Sequence, residues 1–375
     1  MQFGLTETQQ VLKNSAREFF TAECPIAEVR RMMETESASD AALWQKMAQQ
    51  GWTGIVFDEE CGGLGLGLVE MAVALEEMGR VLLPGPYLST TLLAGVAIDS
   101  AGSPAQKKKH LSRIAMGEAH ATLALLESDA RWEPEAVRMD VHRTASGFAL
   151  TGRKMFVTDA AAADFMVCAA RCGADLGLFL VPRDAAGLTI RRLPALDETR
   201  KLYQVDFAAV PVSADGLLAL GEPAHRALER ALAISTVALV AEMVGGMQRV
   251  MEIAVEYAKA RKQFGKPIGQ FQAVQHLCAD MLLLTESSRS AAYYAAWALQ
   301  ESAPEAAVAV SVAKAYASDA YREVGNRGIQ VQGGMGFTWE NHVHLYYKRA
   351  KASELMFGDG AYHRERIARL VIDKL

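Results

Sequence analysis

Cysteine is scarce and odd in number. Cys24, Cys61, Cys168, Cys172 and Cys278 are the five thiols among 375 residues, and no two of them form a Cys-x-x-Cys pair. A disulfide framework is therefore not expected, and Cys168 with Cys172 lacks the second His or Cys pair that would complete a zinc site. All five are expected to be small buried hydrophobes. An excess of one charge sign is also missing, since 39 basic against 44 acidic side chains leave a net charge of −5. The longest basic run is Lys107-Lys108-Lys109, which argues against nucleic acid or an anionic membrane as the main partner. No apolar run is long enough to span a bilayer, because Ala231–Val244 is short and interrupted by Glu242. The first twenty residues lack the apolar core of a secretion signal. A soluble, cytoplasmic protein is expected. Only Pro267 and Pro304, of eleven prolines, fall in residues 226–375, so long helices can form there.

What is present points to a large folded chain. Hydrophobic residues make up 51% and charged residues 22%, enough for a sizeable core, and the length suits two or three domains. Three textures follow one another. Residues 1–118 read as helices: Thr6 can cap a segment with Val11, Leu12, Phe19 and Phe20 on one side, Trp44 and Met47 mark a second, and Val69–Glu77 lie in a third. The glycines at 62, 63, 65 and 67 read as a tight connection before that third helix, since no strand precedes them and no Gly-Lys-Ser/Thr follows. Residues 119–224 read as short strands at Thr122–Leu126, Gly147–Leu150, Lys154–Thr158, Phe165–Ala170, Leu178–Val181 and Val205–Phe207. Turns without intervening helices suggest an antiparallel β domain, a barrel or sandwich. Residues 225–375 read as a helical bundle: a long helix from about Ala224 to Arg261, others at Phe271–Glu301 and Glu305–Gln330, then two shorter ones ending at Leu375.

Two stretches are more specific. One is Tyr257-Ala-Lys-Ala-Arg261-Lys-Gln263-Phe264-Gly265-Lys-Pro-Ile268-Gly-Gln-Phe271-Gln272; the other is Gln330-Val-Gln-Gly333-Gly334-Met-Gly336-Phe337-Thr-Trp-Glu340. Each alone has a bland explanation, a basic helix end or a glycine cap. Together, in this order, they resemble the C-terminal domain of the acyl-CoA dehydrogenase flavoproteins. Lys154-Met155-Phe156-Val157-Thr158 is similar to that family's flavin-packing strand, and the three textures match its helical, β and four-helix-bundle domains along the whole chain. A flavin needs an aromatic wall, hydrogen bonds at the ring edge and a cation for its pyrophosphate. The resemblance implies FAD as cofactor, with Phe156 and Thr158 at the ring and Arg261 and Gln263 at the pyrophosphate of a neighbouring subunit. It also places Phe264 near the adenosine and Gln330, Gly333 and Gly334 against the same cofactor. It further implies an acyl-CoA substrate, a homodimer or homotetramer, and an electron-transfer flavoprotein as partner.

The chain departs from the family where the chemistry occurs. α,β-Dehydrogenation of an acyl-CoA removes an α proton, and a carboxylate must collect it. The usual Glu lies between the Gly-Gly-x-Gly motif and an Arg-x-x-x-Ala-Arg helix; here that position holds Phe357. The alternative site on the long helix, thirteen residues before Gln248, holds Ser235. The family's Glu-x-x-Gly-x-Gly-Ser-Asp segment is replaced by Leu126-Glu127-Ser128-Asp129-Ala130-Arg131-Trp132, without its glycines.

Three readings stay open. Asp359 could serve as base in an altered loop, or be a solvated turn residue. Glu242, a carboxylate in an apolar helix, could serve with a raised pKa, or be a structural hydrogen-bond partner. Alternatively the chain is a subunit of a heterotetramer whose sister supplies the Glu, catalytically silent on its own, or a same-fold flavin monooxygenase or oxidase. His342 and His344 sit two apart, so on a helix they diverge, and no metal is expected.

Overall fold

The computed structural model describes residues 4–372; the expected end of the last helix at Leu375 lies outside them. In chain order the helices are α1 (Glu7–Glu23), α2 (Ile26–Met33), α3 (Ala41–Gln49), α4 (Leu68–Arg80), α5 (Gly95–Ala101), α6 (Pro104–Ala115), α7 (Glu222–Ala260), α8 (Gln272–Gln300), α9 (Ala306–Gln332), α10 (Val343–Leu355) and α11 (Gly360–Val371). The strands are β1 (Ala121–Ala124), β2 (Asp140–Thr144), β3 (Gly147–Thr158), β4 (Phe165–Cys172), β5 (Asp175–Pro182), β6 (Leu188–Leu193), β7 (Leu202–Ser213), β8 (Leu217–Leu220), β9 (Lys262–Gln263) and β10 (Lys266–Pro267). Two compact units result, and neither is continuous in sequence: a helical unit of residues 1–29, 67–83 and 236–375, and a second unit of residues 30–66 and 84–235.

In the helical unit α1 packs on α4, α4 on α8, and α9 against α8, α10 and α11. Thr6 caps α1 through a reciprocal box with Gln9, which fixes the start of that helix. The α8–α9 seam is lined by Ala292, Ala295, Ala313, Ala317 and Ala320, all buried, so small side chains let two long helices approach. The α4–α7 contact is closer still. A Cβ on Gly79 would lie 1.9 Å from the Glu242 carbonyl, and one on Gly245 would lie 1.8 Å from that of Glu76; only glycine permits this approach. Lys13 reaches Glu76 at 2.8 Å and Arg17 reaches Glu77 at 2.8 Å, pairing two buried carboxylates that would otherwise be costly.

The second unit is built on a sheet with the order β6-β7-β3-β2-β4-β5-β8, with β1 added beside β4. Its pairs are mostly antiparallel, as expected, whereas β1 runs parallel to β4 from Ala121↔Phe165 to Ala124↔Cys168. The β2–β3 hairpin lies in the chain between those two strands, long enough for a parallel return. Phe148 and Phe179 stack edge to face at 5.1 Å, within a core that includes Leu150, Met166, Cys168 and Val205. The runs expected at 147–150 and 154–158 are one strand, β3, interrupted by register shifts against β7. Of the thiols, Cys24, Cys61 and Cys168 are buried, but Cys172 and Cys278 are only half-buried, because the first ends a strand and the second faces outward on α8.

Candidate active site

In the sheet unit the expected ring-binding residues sit on a β-bulge. Lys154 pairs with Val205 and Val157 with Tyr203, so one extra residue is accommodated and the strand turns locally. Phe156 takes φ +54 there and stands 41% exposed. It is therefore an outward aromatic and not core, held in a conformation that costs a non-glycine residue about 1–2 kcal/mol. Thr158 is buried two residues on, its carbonyl accepting from the Thr122 hydroxyl at 2.6 Å.

The bulge is anchored by a pair that sequence reading passed over. Lys154, fully buried, donates to the Leu125 carbonyl at 3.0 Å and to Glu127 Oε1 at 2.8 Å. Glu127 also accepts from the backbone N–H groups of Arg138 and Met139. Burial pushes its carboxyl up, but the Lys154 bond and the two backbone donors outweigh that and hold it below its usual range. Lys154 at the head of the apolar Met155-Phe156-Val157 run is the available signal, since a cation drawn inward there needs a partner.

In the helical unit the second set of expected residues clusters on an exposed hairpin and helix end. β9 and β10 pair Gln263 with Lys266 across Phe264-Gly265, whose φ values of +52 and +79 make a two-residue type I′ turn. Phe264 is 91% exposed at its tip. Among the described residues neither the Arg261 guanidinium nor the Gln263 amide takes part in a side-chain bond, and both are exposed. At the end of α9, Gln330 is exposed, Gly333 takes φ +59, and space is open where a Cβ on Gly333 or Gly334 would stand. A free cation, an amide, an exposed ring and an open backbone surface fit a pyrophosphate and an adenosine.

The turn between α10 and α11 carries the position where a base is expected. Phe357 is buried with φ +61, and Gly358 follows at φ +95. Asp359 accepts from the Tyr362 N–H at 2.8 Å and so caps α11, an assignment of its carboxylate that leaves it half-exposed as a helix cap. Glu242, on α7, is ion-paired with Arg349 of α10, both buried. Ser235 is fully buried and its hydroxyl has no hydrogen-bond partner among the described residues. His344 stacks on Trp339 at 5.2 Å and lies 3.3 Å from that residue's carbonyl. The helical unit thus brings Arg261, Gln263 and Phe264 together on one hairpin, and sets Glu242 into an ion pair away from the 357 turn in sequence and in bonding.

A family model described as the acyl-CoA dehydrogenase N-terminal domain matches residues 6–118, and one described as the acyl-CoA dehydrogenase C-terminal domain matches residues 225–372. The acyl-CoA dehydrogenase IpdE2 of Mycobacterium tuberculosis is 30% identical over 349 residues, covering 92% of this chain and 92% of that protein. Among solved structures, the ChsE4-ChsE5 complex from Mycobacterium tuberculosis contains a chain 26% identical with a TM-score of 0.91, covering 100% of this chain and 99% of that one. The glutaryl-coenzyme A dehydrogenase glutaryl-CoA complex is 26% identical with a TM-score of 0.92, over 100% of this chain and 97% of that one. No helix of the described residues is long and apolar enough to cross a membrane.

Proposed function

This chain belongs to the acyl-CoA dehydrogenase family of oxidoreductases, and within it we propose that it serves FAD-dependent α,β-dehydrogenation of an acyl-CoA thioester as a subunit without its own proton-accepting carboxylate. The observation that carries the reading is Phe357. It fills the position between the Gly-Gly-x-Gly segment and the final helix with a buried aromatic ring, which cannot take an α proton. The two carboxylates considered as substitutes are otherwise engaged, Asp359 as a helix cap and Glu242 in an ion pair.

FAD, when bound, supplies the acceptor for the β hydride. Phe156 and Thr158 would hold its ring, and Arg261, Gln263, Phe264, Gln330, Gly333 and Gly334 its pyrophosphate and adenosine. The Arg261 charge would offset the diphosphate, and the exposed Phe264 ring would stack on an adenine face. A sister subunit bearing the Glu completes the reaction on this reading. The likeness to a chain of the two-component ChsE4-ChsE5 complex supports that arrangement, as does the individual exposure of Phe264, Leu283, Phe337 and Trp339, large apolar side chains of the kind that oligomer contacts cover. An electron-transfer flavoprotein would then take up the electrons.

The test is an anaerobic titration of the purified chain with a series of acyl-CoAs, following flavin absorbance. Bound flavin that does not bleach alone, but bleaches after a Glu-bearing partner is added, is the expected result. Bleaching by the isolated chain would overturn the reading, because the chain would own a base. Flavin that is untouched by acyl-CoA in any combination, yet reoxidised by oxygen with turnover of another substrate, would favour a monooxygenase or oxidase.

A further inference from the structure

One buried cation in the helical unit is not accounted for by the fold or by the cofactor reading. Lys314, on α9, is completely buried. Its Nζ lies 2.8 Å from the Gly358 carbonyl, 3.0 Å from the Glu354 carbonyl and 3.0 Å from Ser318 Oγ. The Phe357 carbonyl, one residue earlier, is 2.9 Å from Nε2 of His363, which is 1% exposed. Two successive carbonyls of the α10–α11 turn are therefore held from the interior by two different buried side chains. His363 bonds through Nε2 alone, since its Nδ1 is buried with no partner among the described residues.

Such an arrangement is expensive. A lysine and a histidine are removed from water, and Phe357 is kept at φ +61, where a side chain is strained. A Cβ on Gly358 would stand 2.2 Å from the Tyr362 ring, so no other residue fits there. The groups facing Lys314 are Ser318 of its own helix, Glu354 of α10, Asp359 of the turn and His363 of α11, with Asp319, Arg322 and Arg364 linked to one another just outside. None of this bonding is needed to join two helices by a short turn. It is what is needed to keep one turn in one conformation.

Peptide geometry says what the clamp does. In a trans peptide the N–H points opposite to the C=O. With the Phe357 and Gly358 carbonyls drawn inward, the N–H groups of Gly358 and Asp359 are directed to the other side of the turn. We propose that Lys314 and His363 are positioning residues: they lock the turn at 357–359 so that residue 357 and the outward N–H groups meet the acyl thioester in a fixed geometry. The proposal rests on the acyl-CoA reading above for its ligand, but not for the clamp itself. The clamp also survives loss of the Lys314 proton, because a neutral amine keeps two N–H donors for the two carbonyls and can accept from the Ser318 hydroxyl.

Hydrogen–deuterium exchange of the intact protein tests it. The amides of Tyr362 and His363 bond to Asp359 and report whether the turn is held. Lys314→Met and His363→Leu should each speed their exchange at least about tenfold, with α8 unchanged. His363→Gln, which keeps a donor where Nε2 stood, should restore protection, a rescue that a packing role alone would not give. Should Lys314→Met fold poorly, the His363 pair decides the matter. Unchanged exchange in His363→Leu, or no rescue by Gln, overturns the clamp. Octanoyl-CoA added to the wild-type protein should slow exchange at 357–362, and its affinity should fall about tenfold or more in His363→Leu but not in His363→Gln. If octanoyl-CoA leaves wild-type exchange unaltered while the variants loosen the turn, the acyl-CoA reading fails and the clamp stands.

Discussion

Arg349 and Glu242 meet inside the helical unit with only 2% and 7% of their side chains exposed. Arg349 also reaches toward the Leu83 carbonyl, so the guanidinium bridges α10 and the end of the α4 segment. A carboxylate held this way is a counter-ion. Glu242→Gln should leave a buried cation uncompensated and lower stability by about 3–5 kcal/mol, seen as a fall in the urea midpoint at unchanged slope. Were the isolated parent to bleach its flavin and a normally stable Glu242→Gln variant to leave it oxidised, Glu242 would be the base instead.

Phe357→Glu places a carboxylate at the position where the proposed reading expects one. The turn already holds residue 357 at φ +61, so the backbone need not change, although burying the new charge will cost stability. The expected outcome is flavin bleaching by acyl-CoA in the isolated variant and none in the parent. If the variant folds, binds flavin and still fails to bleach, the missing carboxylate is not what separates this chain from its relatives.

Phe264 is a residue in tension with its backbone. Asn suits the first position of a type I′ turn far better than Phe does, so Phe264→Asn should relieve up to about 1–2 kcal/mol of local strain. The same change removes the exposed ring from the hairpin proposed to meet the flavin. The predicted signature is a melting temperature equal to or above the parent's together with a lower flavin-to-protein ratio after gel filtration. Retained flavin at parental levels would take Phe264 out of the cofactor site.

His363 gives the fold an acid limit. Burial, reinforced by the nearby Lys314 charge, pushes its imidazole down to about 4 from 6.5. The unfolded chain therefore binds a proton between those values that the folded chain refuses. This contribution to stability is complete above pH 6.5 and is lost as pH falls toward 4. The full window is worth on the order of 3 kcal/mol. His363→Gln should flatten that part of the stability–pH curve; an unchanged slope between pH 6.5 and 4 would show that the ring titrates normally.

Much of this architecture was readable in advance. Thr6 as a cap, the long α7, and the α8 and α9 segments followed from apolar periodicity and from the near absence of proline after residue 226. The strands that do not stand out in the sequence are polar or short. β2 is exposed at Asp140, His142, Arg143 and Thr144 and β6 is nowhere buried, while β8 is apolar but only four residues long and β9 and β10 have two residues each, too little for an apolar alternation to show. β3 reads as two pieces because Thr151-Gly152-Arg153 breaks its apolar pattern at the first register shift, between Leu150 and Gly152.

The sequence by itself determined the family, the succession of helical, β and helical segments, and which residues stand at 357 and 235, since these depend on residue identity and local spacing. Only the tertiary structure decided what the remaining charges do. Glu242 was assigned to Arg349 across 107 residues, Glu127 to Lys154 across 27, and Lys314 to a turn 44 residues away. Periodicity tells which side of a helix is buried, but not which group lies opposite. A buried charge takes its role from its partner, and partners are chosen by packing.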